Sequence, residues 1–210
     1  MEIKYFVRTI KTRNFDYSDI DYIELIDKNP DFVQSFIDQL KIISEYNSVF
    51  LEDDCKLCNN FKEEAEKVIT EHPNYIILFF YNPEIFFTSH YTNRFMWNQC
   101  VYYPKGMGEK VAKYIEELRK ERSFCKVKNY DILQLNALKR NGIPCYVYRP
   151  CLVQHIGGNT SLIGNSGNRD TIYFKDYIDK LGIDYIDSCL PENEKKLEEL
   201  LIEDRKTWKL

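Results

Sequence analysis

Glu52, Asp53 and Asp54 follow directly on the stretch Ser48–Leu51, which reads as a short buried strand. Carboxylates crowded at one strand end repel one another and raise each other's pKa values. A divalent cation relieves that repulsion, and oxygen ligands suit Mg²⁺ or Mn²⁺. Alternation along an extended chain puts Glu52 and Asp54 on one side and Asp53 on the other, so two carboxylates can face one metal and its diphosphate. The plainer alternative is an ordinary acidic turn between a strand and a helix.

The second chemistry-bearing segment runs Pro150-Cys151-Leu152-Val153-Gln154-His155-Ile156-Gly157-Gly158-Asn159-Thr160-Ser161. His155 is one of only three histidines, and it stands where a strand gives way to a loop. Gly157 and Gly158 let backbone N–H groups approach phosphate oxygens closely, and Asn159, Thr160 and Ser161 add side-chain donors. His155 can supply a neutral nitrogen to a metal, or serve as a satisfied structural residue.

Asp131 opens an expected helix over Asp131–Arg140. Its plain reading is an N-cap or first-turn carboxylate of that helix. Trp97, Tyr102 and Tyr103 can stack on a sugar or a base, or fill the core. The loop Phe86–Arg94 is aromatic for a surface segment and reads as an acceptor platform or lid. Between Lys105 and Lys128 there are eight basic residues against four acidic ones. Such a run is usually a solvated helix face, but gathered on one side it attracts a polyanion, DNA included.

These groups need a scaffold, and the periodicity supplies one. Strands are expected at Ile3–Val7, Tyr22–Ile26, Ser48–Leu51, Tyr75–Phe80, Phe95–Tyr103 and Cys145–Tyr148. Helices are expected from Asp31 through Ile43, over Asn60–Ile69, Glu109–Arg122 and Asp131–Arg140, and from Glu192 to about Asp204. Gln154–Arg169 reads as a functional loop. Strands alternating with helices indicate an α/β domain with a mostly parallel central sheet flanked by helices. Residues 1–168 form the expected catalytic domain, and residues 169–210 a helical extension packed on it.

Composition narrows the class. Aromatic residues make up 15% of the 210, which argues against disorder, and the formal charge of -4 carries no overall signature of nucleic-acid binding. The longest strongly apolar run, Tyr75–Tyr81, is far short of the roughly 20 residues a bilayer span needs, and a cytoplasmic location is expected. Seven scattered cysteines favour reduced thiols over a disulfide framework, with Cys55 and Cys58 reading as buried small hydrophobes.

The pairing of Phe50-Leu51-Glu52-Asp53-Asp54 with the segment Pro150–Ser161 resembles nucleotide-sugar-dependent transferases of the glycosyltransferase-A fold. The likeness is to the group that includes lipooligosaccharide and collagen galactosyltransferases, with a phage-type enzyme as one reading, and it spans roughly Ile3–Asn165. It implies a single Rossmann-like domain that moves a sugar from a nucleotide-sugar, a UDP-sugar foremost, with Mn²⁺ or Mg²⁺ as cofactor. It implies that Glu52, Asp54 and His155 hold the metal. Arg8, Thr9, Arg13 and Asp53, with Gln154, Gly157, Gly158, Asn159 and Ser161, would contact the donor, and Asp131 would lie near the acceptor as base. The acceptor is a glycan hydroxyl or, alternatively, a hydroxymethylated base in DNA. A metal-dependent nuclease or phosphatase, and a non-catalytic nucleotide-sugar-binding protein, are the readings from other classes.

Overall fold

The computed structural model describes residues 1–9, 17–27, 29–81, 91–92 (backbone only), 97–157 and 170–208. Its frame is a seven-stranded mixed sheet. In chain order the strands are β1 (Ile3–Thr9), β2 (Tyr22–Ile26), β3 (Asn47–Glu52), β5 (Ile76–Leu78), β6 (Tyr91–Thr92), β7 (Cys100–Tyr103) and β8 (Cys145–Val147). Their spatial order is β2-β1-β3-β7-β5-β8-β6. β1 pairs in parallel with β2 and β3, and β5 with β8, whereas β7 runs antiparallel to β3 and β5, and β6 antiparallel to β8. Five strands therefore share one direction, in line with a mostly parallel sheet, and the reversed β7 sits in the middle.

The central strands are buried on both faces, so they carry apolar runs rather than alternation. Val49, Phe50 and Leu51 of β3 and every residue of β7 are buried. The expected strand Phe95–Tyr103 is shorter in the structure. Trp97 has φ 79°, in the left-handed region that a bulky side chain rarely adopts, and regular pairing begins only at Cys100.

Helix α1 (Phe32–Ile43) begins where Asp31 caps it, accepting from the N–H groups of Val33 and Gln34. Its face of Val33, Phe36, Ile37, Leu40 and Ile43 packs into the core. Helices α2 (Phe61–Glu71), α3 (Met107–Arg119) and α4 (Tyr130–Arg140) follow. Asn129, not Asp131, caps α4, accepting from the N–H groups of Asp131 and Ile132. That leaves the Asp131 carboxylate available for other contacts.

A second, two-stranded sheet joins β4 (Cys55–Leu57) to β9 (Val153–His155) in antiparallel register, Cys55 opposite His155. Sequence patterning does not mark β4, which is three residues long, whereas β9 ends at His155, where a strand-to-loop junction is expected, so the loop expected from Gln154 begins after His155. Helices α5 (Lys175–Leu181), α6 (Tyr185–Ser188) and α7 (Pro191–Arg205) close the chain. They pack on this ribbon: Asp204 pairs with Lys56 at 2.6 Å and accepts from the Tyr177 hydroxyl at 2.7 Å, while Leu197 and Leu201 are buried. The expected boundary at residues 168/169 lies outside the described residues. All seven cysteines are free thiols, and burial pushes those of Cys55 and Cys58 well up, which suits inert core residues. Among the described residues no helix is long and apolar enough to cross a membrane.

Helices α1 and α3 approach backbone to backbone at Gly108, where an added Cβ would lie 2.3 Å from the Leu40 carbonyl oxygen. Gly108→Ala therefore forces the helices apart, and we expect a stability loss of about 1–3 kcal/mol in urea unfolding, with an unchanged m-value.

Candidate functional site

The parallel strands bring their carboxyl ends to one edge, and Asn98 and Gln99, which lead into the reversed β7, arrive at the same edge. β1 has β2 on one side and β3 on the other, so the strand order reverses there. Ligands of open α/β sheets gather outside the carboxyl ends at such a switch point. Glu52 ends β3 at this place, and Asp53 and Asp54 form the turn into β4.

Backbone and side-chain bonds anchor the turn from three directions. The Glu52 N–H donates to the Gln99 carbonyl at 3.0 Å, and the Asp53 N–H to the Arg8 carbonyl at 3.1 Å. The Tyr17 hydroxyl donates to the Glu52 carbonyl at 2.6 Å and accepts from the Cys55 N–H at 3.2 Å. From the far side, the Ile156 N–H donates to the Asp54 carbonyl at 2.8 Å, continuing the β4–β9 ribbon. The ribbon thereby sets His155 Nε2 3.5 Å from Asp54 Oδ2, across about 100 residues of chain, with both side chains only 10% exposed. Gly157 closes over this pair. A Cβ there would lie 2.6 Å from Asp54 Oδ2 and 2.8 Å from His155 Nε2, so no larger residue fits without displacing them.

Glu52 faces another partner. Its Oε1 accepts from the Tyr130 hydroxyl at 2.5 Å. Burial, then the nearby Asp54 and Asp131 carboxylates, push its carboxyl up to about 7, against the lowering pull of Arg8 and of the Tyr130 hydrogen bond. Part of the Glu52 surface still reaches solvent. The Tyr130 phenol is itself held well above its ordinary range by burial and by Glu52, so it donates rather than ionises.

Arg8 lies beneath. Its guanidinium sits 4.4 Å from the centre of the Tyr130 ring and forms a buried pair with Asp27, Nη2 to Oδ2 at 2.8 Å and Nε to Oδ2 at 3.0 Å. Asp27 is completed by the Ser35 hydroxyl at 2.5 Å and Gln39 Nε2 at 2.8 Å. Arg8 Nη1 has no hydrogen-bond partner among the described residues. Asp27 takes the other two nitrogens and Nη1 is itself buried, so the expected phosphate contact of Arg8 is not offered at the surface.

Asp131 is nine-tenths buried and accepts from Asn98 Nδ2 at 2.8 Å. Asn98 in turn accepts from the Tyr103 hydroxyl at 3.1 Å, and Tyr103 accepts from Gln134 Nε2 at 2.7 Å. This chain of amides and hydroxyl orients the carboxylate from the core side. Tyr102 and Tyr103 are wholly buried, so they act from the core.

The structure accordingly brings Glu52, Asp53, Asp54, His155, Gly157, Arg8 and Thr9 to one edge of the molecule. Gln154 faces elsewhere: its amide donates to the Thr171 carbonyl at 2.7 Å and accepts from the Thr171 N–H at 2.8 Å, tying β9 to the C-terminal segment. With both ends of the amide so used, it is a structural clamp. Thr9 is buried, and its carbonyl accepts from the Asp27 N–H at 3.0 Å. Arg13, Gly158, Asn159 and Ser161 lie outside the described residues, as does the loop proper of Phe86–Arg94 apart from the two-residue strand β6. Four contributors were not singled out from sequence: Tyr17, Asp27, Asn98 and Tyr130. Asn98 left a signal, standing with Gln99 as the two polar side chains inside the apolar stretch Phe95–Tyr103 expected as a strand.

A divalent cation with bonds of about 2.1 Å holds neighbouring ligand atoms about 3 Å apart. The carboxylate oxygen and imidazole nitrogen of Asp54 and His155 suit this, and the space a Cβ would fill at Gly157 lies directly against them. Among the described residues, no third His, Cys, Asp or Glu completes a metal-binding group with them. No protein-family model matches this chain, and no curated protein or solved structure shows a significant match to it.

With chelator present, a Glu52 carboxyl raised above its ordinary 4.5 to about 7 binds its proton more tightly in the native than in the unfolded chain between those values. Stability then falls as pH rises through that window. Glu52→Gln keeps an acceptor for Tyr130 and removes the charge. We expect it to be more stable than the parent at pH 8, by on the order of 2 kcal/mol, and equal to it near pH 4. Urea unfolding at the two pH values measures this, and equal differences at both would refute it.

Proposed function

We propose that this chain is a metal-dependent glycosyltransferase that moves a sugar from a nucleotide-sugar donor onto a hydroxyl acceptor. The observation that carries the reading is the meeting of Asp54, His155 and Gly157 at the carboxyl edge of the sheet, drawn from two distant segments. That edge is the switch point of an α/β sheet, where nucleotides bind in many unrelated proteins. The order of the two segments is also that of the transferases the sequence resembles.

In this reading Asp54 and His155 would hold Mn²⁺ or Mg²⁺, and the ion would supply positive charge against the donor's diphosphate. Asp53 and Thr9 border the donor on the β1 side. Arg8, through its positive field, favours an anion above Tyr130. Asp131 takes the proton of the acceptor hydroxyl, and the freed oxygen bonds to the anomeric carbon as that carbon's bond to the diphosphate breaks. Asn98 holds Asp131 in place, so the base is set before substrate arrives. Burial of the acidic groups strengthens every charge interaction at this edge.

The test is a thermal-shift screen of nucleotide-sugars with and without Mn²⁺. We expect one donor to raise the melting temperature by roughly 5 °C at saturation, only with metal. Asp54→Ala, His155→Ala and Gly157→Ala should each abolish the rise, the last by steric displacement alone. A folded parent protein that responds to no nucleotide-sugar defeats the proposal.

A further inference from the structure

A separate groove of about 620 Å³ opens between the start of α1 and the α3–α4 connection. Its apolar floor is Pro30, Phe32 and Val127, and Arg119, Lys126 and Lys128 bring three cations to it. One acid, Asp31, also lines it, but both its oxygens are engaged: Oδ2 with Arg119 at 2.6 Å and Oδ1 as the cap of α1. The neighbouring Glu121 is likewise neutralised, by Arg140 at 2.5 Å. Lys126 and Lys128 are exposed and make no ion pair among the described residues. In a chain of net charge -4, this leaves uncompensated positive charge in a groove that the half-buried Phe32 also lines.

Apolar floor and cationic rim together select a ligand with both characters, since a lysine ammonium is a strong phosphate donor and Phe32 offers a face for a flat or apolar body. The groove is partly open to solvent, and its volume falls within the range of small-molecule sites. We propose that the groove is a binding site for a phosphorylated small molecule, its phosphate held by Lys126 and Lys128 and its body against Phe32, Pro30 and Val127. The inference is independent of the transferase reading. The groove nevertheless borders that site: the Phe32 carbonyl accepts from Arg8 Nη2 at 3.4 Å, and Lys128 is two residues from Tyr130.

Cys125 lines the groove and is the one fully exposed thiol, so it can carry a local reporter. A trifluoromethyl tag is placed on it in a Cys189→Ser background and followed by ¹⁹F NMR. The probes are phenyl phosphate, inorganic phosphate, phenol and the oligonucleotide dT12. We expect phenyl phosphate to shift the tag saturably and more tightly than inorganic phosphate, with phenol silent. Lys126→Ala with Lys128→Ala should weaken that binding at least tenfold, because a charge-assisted contact is worth roughly tenfold or more. Phe32→Ala should bring phenyl phosphate down to the affinity of inorganic phosphate. Asp54→Ala should leave both unchanged, which separates this site from the acidic turn. A tag unmoved by phenyl phosphate, or moved equally in the double lysine variant, overturns the proposal. So does a shift lost in Asp54→Ala, or one in which dT12 binds tightest and is indifferent to Phe32→Ala, which would make the groove a polyanion surface.

Discussion

The short ribbon of β4 and β9 is the contact on which the candidate site depends. Three residue pairs, Cys55 with His155, Lys56 with Gln154 and Leu57 with Val153, join parts of the chain about 100 residues apart. The cost of closing so long a loop is entropic, and it grows only slowly with length. It is met by burial on both sides of the ribbon. Val153 and Leu152 are fully buried, and the C-terminal helices clamp the outer side through Asp204, Lys56, Tyr177 and Gln154. Without that clamp, neither three-residue strand would hold its partner, because an isolated hairpin-sized pair is marginal in water. The helices far from the acidic turn in sequence are thus part of what holds His155 beside Asp54.

Electrostatics shape the inner half of the site. Glu52, Asp54 and Asp131 are gathered in a region poor in water, and such groups are tolerated only with compensation. The described structure supplies it through hydrogen bonds and one buried cation. Tyr130 donates to Glu52, Asn98 donates to Asp131, and Arg8 lies under Tyr130 with Asp27 as its own counter-ion. Pairing Arg8 with Asp27 keeps a full positive charge in the interior. It also leaves the acidic edge with more negative charge than the interior neutralises, a condition that favours cation uptake.

Much of the architecture was legible in the chain. The apolar runs of β1, β3 and β5, the helix start at Asp31 and the 3.6-residue periodicity of α1 and α3 are local properties, readable because burial imposes a period on each element. The acidic turn was legible for a similar reason, since charge directly after a buried strand is anomalous wherever the strand packs. The boundaries were less so. Trp97 breaks the strand expected from Phe95, and α4 starts one residue before Asp131. Both depend on backbone choices that tertiary packing makes.

What the sequence by itself determined is the inventory: an α/β chain with an acidic strand end, a histidine-glycine segment and a helix-borne aspartate. Tertiary structure decided which of these meet. It set Asp54 against His155, turned Glu52 to Tyr130, assigned Arg8 to Asp27 and Gln154 to Thr171, and drew Lys126 and Lys128 toward Phe32. The reason is physical. Helix and strand periodicity act over a few residues, whereas these contacts are made between segments whose only common property is the core they cover, and no local pattern encodes the distance between them.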